Sequence, residues 1–231
     1  MKVEIWSDVM CPFCYIGKRR FEHALAQFPQ REAIEVVWKS FQLDPEMPKE
    51  GGANINEYLA ERKGWTLEYA EQVNSQVTAM AAEVGLTYDF DKAVVANSFD
   101  AHRFSHLAAQ HGLGDAAEES LFKAYFTEGK NIADHAVLAD LGASIGLNAG
   151  EVSAALAGNG YANEVHQDIS EAAALGARGV PFFVIDRKYA VSGAQPEEVF
   201  LQALERSYKE YAKAGLEHGA DGNVCGIDGC D

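Results

Sequence analysis

The most reactive side chains in this sequence are four cysteines, and they fall into two close pairs at opposite ends of the chain. Cys11 and Cys14 enclose Pro12-Phe13, and Cys225 and Cys230 enclose Gly226-Ile227-Asp228-Gly229. A C-x-x-C pair can hold zinc, form a structural disulfide or exchange disulfides. Exchange needs a thiolate near neutral pH, and a helix N-terminus favours one through its unpaired amides and its dipole. Lys2–Ser7, with Val3, Ile5 and Trp6 apolar, reads as a strand, and Tyr15, Ile16, Phe21, Leu25 and Phe28 follow as one helical face that Pro29 ends. Cys11 therefore falls at a strand-to-helix junction, with Pro12 in the first turn, where a helix best tolerates proline. Cys14 lies about one turn further in, close enough to close a ring with Cys11 and release a mixed disulfide. A four-cysteine zinc site would have to recruit the differently spaced pair at the far terminus, and no histidine pair shows a ligand spacing tied to either end. Disulfide exchange is the favoured chemistry, with no metal and no cofactor expected.

Holding such a pair requires a sheet behind it. Ala33–Phe41 reads as a second strand, and Asp44–Asn54, with Pro45, Pro48 and Gly51-Gly52, as a loop. From Ile55 to about Gly176 the pattern is helical, over 55–63, 67–84, 98–111, 115–127, 134–146, 149–157 and 161–176. Strand character returns at Pro181–Ile185, and after the turn Asp186-Arg187-Lys188 at Tyr189–Ser192, a hairpin. Pro196–Ala214 is a final helix, and Gly215–Asp231, with five glycines and no periodicity, reads as a mobile tail. The order gives a βαβ half and a ββα half with helices between them. The expected class is α/β, a thioredoxin-like domain from 1–44 and 177–214 interrupted by an all-helical insertion over 45–176, with a tail from 215 to 231. In such a site the loop before the third strand carries a cis proline beside the cysteines. Gly179-Val180-Pro181 alone leaves a cis proline and an ordinary strand-opening proline both open. With the C-x-x-C pair upstream and the hairpin downstream, cis is favoured.

Composition narrows the function. With 48% hydrophobic residues over 231 positions, the chain can bury a core without disulfide staples, so paired cysteines point to chemistry. A formal net charge of -16 repels phosphate backbones and argues against nucleic acid as a partner. No segment is long and apolar enough to span a membrane. A secretory leader of typical length would take both Cys11 and Cys14 with it, so a cytoplasmic location is expected.

The stretch Ser7-Asp8-Val9-Met10-Cys11-Pro12-Phe13-Cys14-Tyr15-Ile16-Gly17 resembles the opening of DsbA-family oxidoreductases of the FrnE type. Asn97-Ser98 with Ala101-His102-Arg103, Leu121–Phe126, Gly179–Ile185 and Val191–Gln195 resemble the same group, so the likeness spans about residues 3–210. It implies a thioredoxin fold interrupted by a helical domain, Cys11 as attacking thiol, Cys14 as resolving thiol and Pro181 as the cis proline. Pro12, Phe13 and Val180 would then touch substrate. The best-known periplasmic members place a histidine between their cysteines, where this chain has Phe13. A neutral ring cannot hold the thiolate in that way, so the pair should be a weaker oxidant. This favours reduction or isomerisation of protein disulfides, with a cellular thiol such as thioredoxin or glutathione as electron donor.

Other residues have plainer readings. Asn97 or Ser98 caps the helix that follows, and Gln195 with Pro196 opens the last one. The resemblance leaves room for His102 and Arg103 near the site, although a lone helical histidine is more often structural. Trp6 belongs to the core, and Phe13 is exposed. Two other classes remain open: a glutathione-using transferase or isomerase, whose relatives typically have serine where Cys11 stands, and a redox-sensing or metal-binding protein. The pair Cys225/Cys230 is a candidate internal relay, since ten residues before it, if extended, could span about 33–36 Å.

Overall fold

The computed structural model describes residues 1–48 and 54–220, with side chains through residue 214. Alternation in the first strand sets the architecture. In β1 (Lys2–Ser7), Val3 and Ile5 point to one face of the sheet, while Glu4 and Trp6 point to the other. Both faces are covered, so five of its six residues are buried. β1 pairs in parallel with β2 (Glu35–Ser40) and antiparallel with β3 (Phe182–Ile185), which forms a hairpin with β4 (Tyr189–Ser192). The order is β2-β1-β3-β4.

Helices α1 (Pro12–Gln27) and α9 (Glu197–Ala220) cover the first face, where Phe21, Phe28, Phe200 and Leu204 meet Val3, Ile5, Phe183 and Ile185. On the second face Trp6, Phe182 and Val184 pack against Ala172. Trp6 is fully buried, and its indole donates to the Asp168 carbonyl at 2.8 Å. Buried Glu4 is paired by Arg187, which also reaches Glu171 at 2.7 Å.

Between β2 and β3 stand α2 (Ile55–Lys63), α3 (Leu67–Glu83), α4 (Phe99–Gln110), α5 (Gly114–Phe126), α6 (His135–Ser144), α7 (Ala149–Ala157) and α8 (Ala162–Ala174). Side chains of Asn54, Thr66, Asp134 and Asn148 accept the first free amides of α2, α3, α6 and α7, which fixes where those helices begin. Asn97 accepts from Phe99 N at 2.9 Å and donates to the Pro45 and Met47 carbonyls, so it both starts α4 and pins the loop after β2. Arg103 turns away from the cysteines: its guanidinium caps the end of α7 through the carbonyls of Ala155, Leu156, Gly158 and Gly160. Room for it beside the site is thereby withdrawn.

One boundary differs from the sequence reading. The last helix runs on through residues 215–220, which the glycine count assigns to a mobile tail. Gly215 and Gly219 alternate with good helix formers such as Leu216, Glu217 and Ala220, and single glycines cost a helix only about 1 kcal/mol each. Cys225 and Cys230 lie outside the described residues. Among the described residues no helix is long and apolar enough to cross a membrane.

The insertion is bonded to the sheet through Asp168 of α8. Its carboxylate takes Lys39 Nζ at 2.8 Å, the Ser40 amide at 2.9 Å and His106 Nε2 at 3.0 Å. Burial opposes the charge, but the His106 and Lys39 contacts outweigh it and hold this carboxyl below its usual range. A depressed folded-state pKa gives stability that is present above about pH 4 and lost as pH falls through the folded value. Asp168→Asn should therefore cost roughly 1–3 kcal/mol at pH 7. Urea titrations should also show the variant losing less stability than wild type between pH 6 and pH 3; an equal acid loss would remove Asp168 from the account.

Candidate active site

The chain leaves β1 through a tight turn. The Cys11 amide donates to the Asp8 carbonyl at 2.9 Å, and Cys11 then takes the N-cap position of α1 with extended backbone, φ -85 and ψ 110. Pro12 is the first helical residue, and no acid occupies the first turn to compete with a developing thiolate. Both cysteines are free thiols and buried, at 4% and 1% exposure, whereas Phe13 between them is 40% exposed. Burial pushes the Cys14 thiol well above its usual pKa, and the hydrogen bond and charge of neighbouring Cys11 push it further. Cys14 thus keeps its proton, and Cys11 stands at the helix end.

The second wall is the loop before β3. The Val180–Pro181 peptide is cis, and the Val180 carbonyl accepts from Cys11 Sγ at 3.5 Å. Pro181 O accepts the Gly193 amide at 2.8 Å, which joins this loop to the segment after β4, and Arg20 of α1 donates to Ala194 O of that segment at 2.6 Å, so the helix is tied to it as well. They meet at Gly17, where a Cβ would lie 2.9 Å from Pro181 Cγ and 3.5 Å from Ala194 Cβ. Gln195 closes this turn by donating to Ser192 O at 2.8 Å, ahead of the helix that the sequence reading had it open.

Helical residues form the third wall. Tyr88 donates to the Pro12 carbonyl at 2.7 Å and stacks on Phe126, centroid to centroid 4.5 Å, and on Tyr15 at 6.1 Å. Tyr15 in turn stacks on Phe122 and donates to Glu119 at 2.6 Å. Burial raises the pKa of both phenols, so both stay neutral donors. Sequence reasoning missed Tyr88: it lies in a short segment between α3 and α4, and no local pattern ties it to residue 12.

Beneath the turn, Asp8 is fully buried and accepts the Leu43 amide at 2.7 Å. His102 Nε2 lies 3.5 Å from Asp8 Oδ1, within ion-pair reach but beyond a well-formed hydrogen bond. Burial disfavours the imidazolium, yet Asp8 and then Glu118 outweigh it and raise the pKa of His102. Of the two residues that the resemblance places near the site, His102 therefore approaches the turn that carries Cys11, and Arg103 does not.

A mixed sheet in this order, with a dithiol on the helix after β1 and helices inserted after β2, defines a thioredoxin-like protein. The chain belongs to the DsbA-like thioredoxin-domain family, whose profile matches residues 2–205. It is 41% identical to a probable DsbA oxidoreductase from Streptomyces coelicolor, whose crystal structure covers 100% of this chain and 98% of its own with a TM-score of 0.86. It is 27% identical over 210 residues to the uncharacterized protein YwbO of Bacillus subtilis (strain 168), covering 90% of this chain and 98% of that protein. The cytosolic disulfide reductase DsbM of Pseudomonas aeruginosa, solved also with GSH, shares the fold at 20% identity and a TM-score of 0.62, over 90% of this chain and 99% of its own.

Two outcomes follow from this geometry. In an ordinary helix, Gly→Ala stabilises by up to about 1 kcal/mol. Here Gly17→Ala should destabilise by roughly 1–3 kcal/mol, because the new methyl meets Pro181. A raised urea midpoint would disprove the close packing. In single-cysteine variants, iodoacetamide should alkylate Cys11 faster than Cys14 at every pH from 6 to 8, since the burial of Cys14 survives replacement of its neighbour; faster reaction of Cys14 at pH 6 would reverse the roles.

Proposed function

We propose that this protein is a reductase or isomerase of protein disulfides, of the FrnE type, acting in the cytoplasm through Cys11 and Cys14. The observation that carries the reading is the asymmetry of the pair: Cys11 at the helix N-terminus facing the Val180 carbonyl, Cys14 buried behind it with its proton held. The Cys11 thiolate attacks one sulfur of a substrate disulfide, forming a mixed disulfide and expelling a substrate thiolate, which takes up a proton. Cys14, once deprotonated, attacks Cys11 Sγ, closes the Cys11–Cys14 disulfide and releases the second substrate thiol. Two electrons pass to the substrate, and a thiol reductant such as thioredoxin or glutathione returns them. Isomerisation uses the same first step, with a substrate thiol resolving the intermediate. Pro12, Phe13 and the Val180 backbone border the sulfur that meets substrate. The names of the Streptomyces and Pseudomonas relatives support the class, and that of the latter supports the direction and the location.

Insulin reduction coupled to a thiol reductant tests this. Wild type should turn over, Cys11→Ser should be inactive, and Cys14→Ser should accumulate a mixed disulfide visible by mass spectrometry. No turnover, with zinc retained stoichiometrically, would move the pair to metal binding. The proposed relay is read in the same assay: the double change Cys225→Ser, Cys230→Ser should lower turnover, and wild-type turnover would dismiss it.

A further inference from the structure

We propose that the Ser7 hydroxyl is a catalytic hydrogen-bond donor to Cys14, aimed at the charge that develops on its sulfur when the resolving thiol gives up its proton. This rests on the oxidoreductase reading and adds to it a group that makes a buried thiol reactive.

Ser7 is the last residue of β1. Side chains alternate along a strand, so Ser7 shares the face of Val3 and Ile5, which α1 covers, and α1 carries Cys14 in its first turn. The backbone of Ser7 is committed to the sheet: it pairs with Ser40, and its carbonyl accepts the Phe41 amide at 2.9 Å. Its hydroxyl is not committed. Ser7 is 1% exposed, and Oγ makes no well-formed hydrogen bond among the described residues. Burying a hydroxyl without a partner costs stability, and alanine would fill the same space without that cost. What the hydroxyl does have within reach is Cys14 Sγ. Burial is the largest effect raising the pKa of Cys14, with the hydrogen bond and charge of Cys11 after it; the Asp8 amide and the Ser7 hydroxyl act on the sulfur in the opposite sense and lower it.

A thiol sulfur is a weak acceptor and a thiolate a strong one, so this donor is in place before the charge arrives and is engaged only as it forms. The other titratable groups around the sulfur do not stand in for it. Cys11 adds negative charge when ionised and is the atom attacked in the resolving step. The Asp8 carboxylate takes the Leu43 amide at 2.7 Å and lies 3.5 Å from His102 Nε2, while the Tyr88 hydroxyl donates to the Pro12 carbonyl at 2.7 Å. In the resolving step the Cys14 thiolate forms a bond to Cys11 Sγ and the bond from Cys11 to the substrate sulfur breaks. The proton that left Cys14 ends on the released substrate thiol. The same donor serves the return step, in which a thiol reductant attacks Cys11 and Cys14 leaves as the thiolate.

The test uses the full chain with Cys225 and Cys230 replaced by serine, and the neutral disulfide dithiodipyridine, which reports each sulfur released. This parent and its Ser7→Ala variant should match in the first release, made by attack of Cys11. The second release, made as Cys14 resolves, should slow about 10-fold in the variant, the scale of one hydrogen bond to a charged group. In a chain whose only cysteine is Cys14, Ser7→Ala should slow iodoacetamide alkylation, displacing its pH profile upward by about one pH unit, the same factor of ten. A packing defect would act the other way, exposing Cys14 and speeding its alkylation. The urea midpoint should hold or rise, since an unpaired hydroxyl has been removed. An unchanged second release, an equal slowing of both releases, alkylation that is unchanged or faster, or a lowered urea midpoint overturns the donor and leaves the oxidoreductase reading standing. Absence of a first release in the parent overturns that reading and takes the donor with it.

Discussion

Helix α1 approaches the loop before β3 so closely that no side chain larger than hydrogen fits at residue 17. Much of the site depends on that contact. It brings Pro181 against the helix and Val180 O to 3.5 Å from Cys11 Sγ. Arg20, one turn after Gly17, reaches Ala194 O in the neighbouring segment after β4. The helix is fixed from the other direction by Tyr88, whose hydroxyl takes the Pro12 carbonyl. The dithiol turn is thus clamped between a loop of the sheet domain and an aromatic stack of the insertion. Neither domain alone supplies both walls, which gives the helical insertion a role at the site beyond covering the sheet.

The difference between the two thiols follows from the same clamp. Cys11 is the last residue before the helix and faces a carbonyl across the loop. Cys14, one turn later, lies with Cys11 in the cluster that contains Tyr88, Phe122 and Phe126, and is the more deeply buried of the two, at 1% exposure against 4%. Burial penalises charge at Cys14, and the hydrogen bond and charge of its neighbour penalise it further. Two cysteines of identical chemistry thereby stand in different surroundings. Phe13 adds no charge to either side of this balance.

Features carried by local pattern were legible in the sequence. Apolar Val3, Ile5 and Trp6 marked β1, the apolar face after Cys14 marked α1, and the helices expected to start at 55, 67, 134 and 149 begin within one residue of those positions. Cys11, Cys14 and Pro181 belong to short motifs and could be named in advance. The end of α9 was misread because Gly215 and Gly219 look like breakers when context is ignored. Gly17, Tyr88, Asp8 and Glu118 were not assigned roles, since what defines them is contact across long sequence separations. Gly17 lay inside the motif that carried the family resemblance, yet only the position of Pro181 shows why a methyl group is excluded there.

Charge placement connects the fold to what the site can accept. The chain has 35 acidic residues against 19 Lys and Arg, and several of those cations are committed to the framework. Lys18 serves Glu22, Asp115 and Glu119; Lys39 serves Asp168 and Glu171; Arg187 serves Glu4 and Glu171. The surface as a whole carries an excess of negative charge and repels anions. Beside the dithiol, Phe13 and Leu43 expose large apolar surfaces. Covering them removes apolar surface from water, a force that is indifferent to overall charge. The acidic surface acts on ions at a distance and the apolar mouth on groups in contact, so charge and burial sort different properties of whatever meets the dithiol.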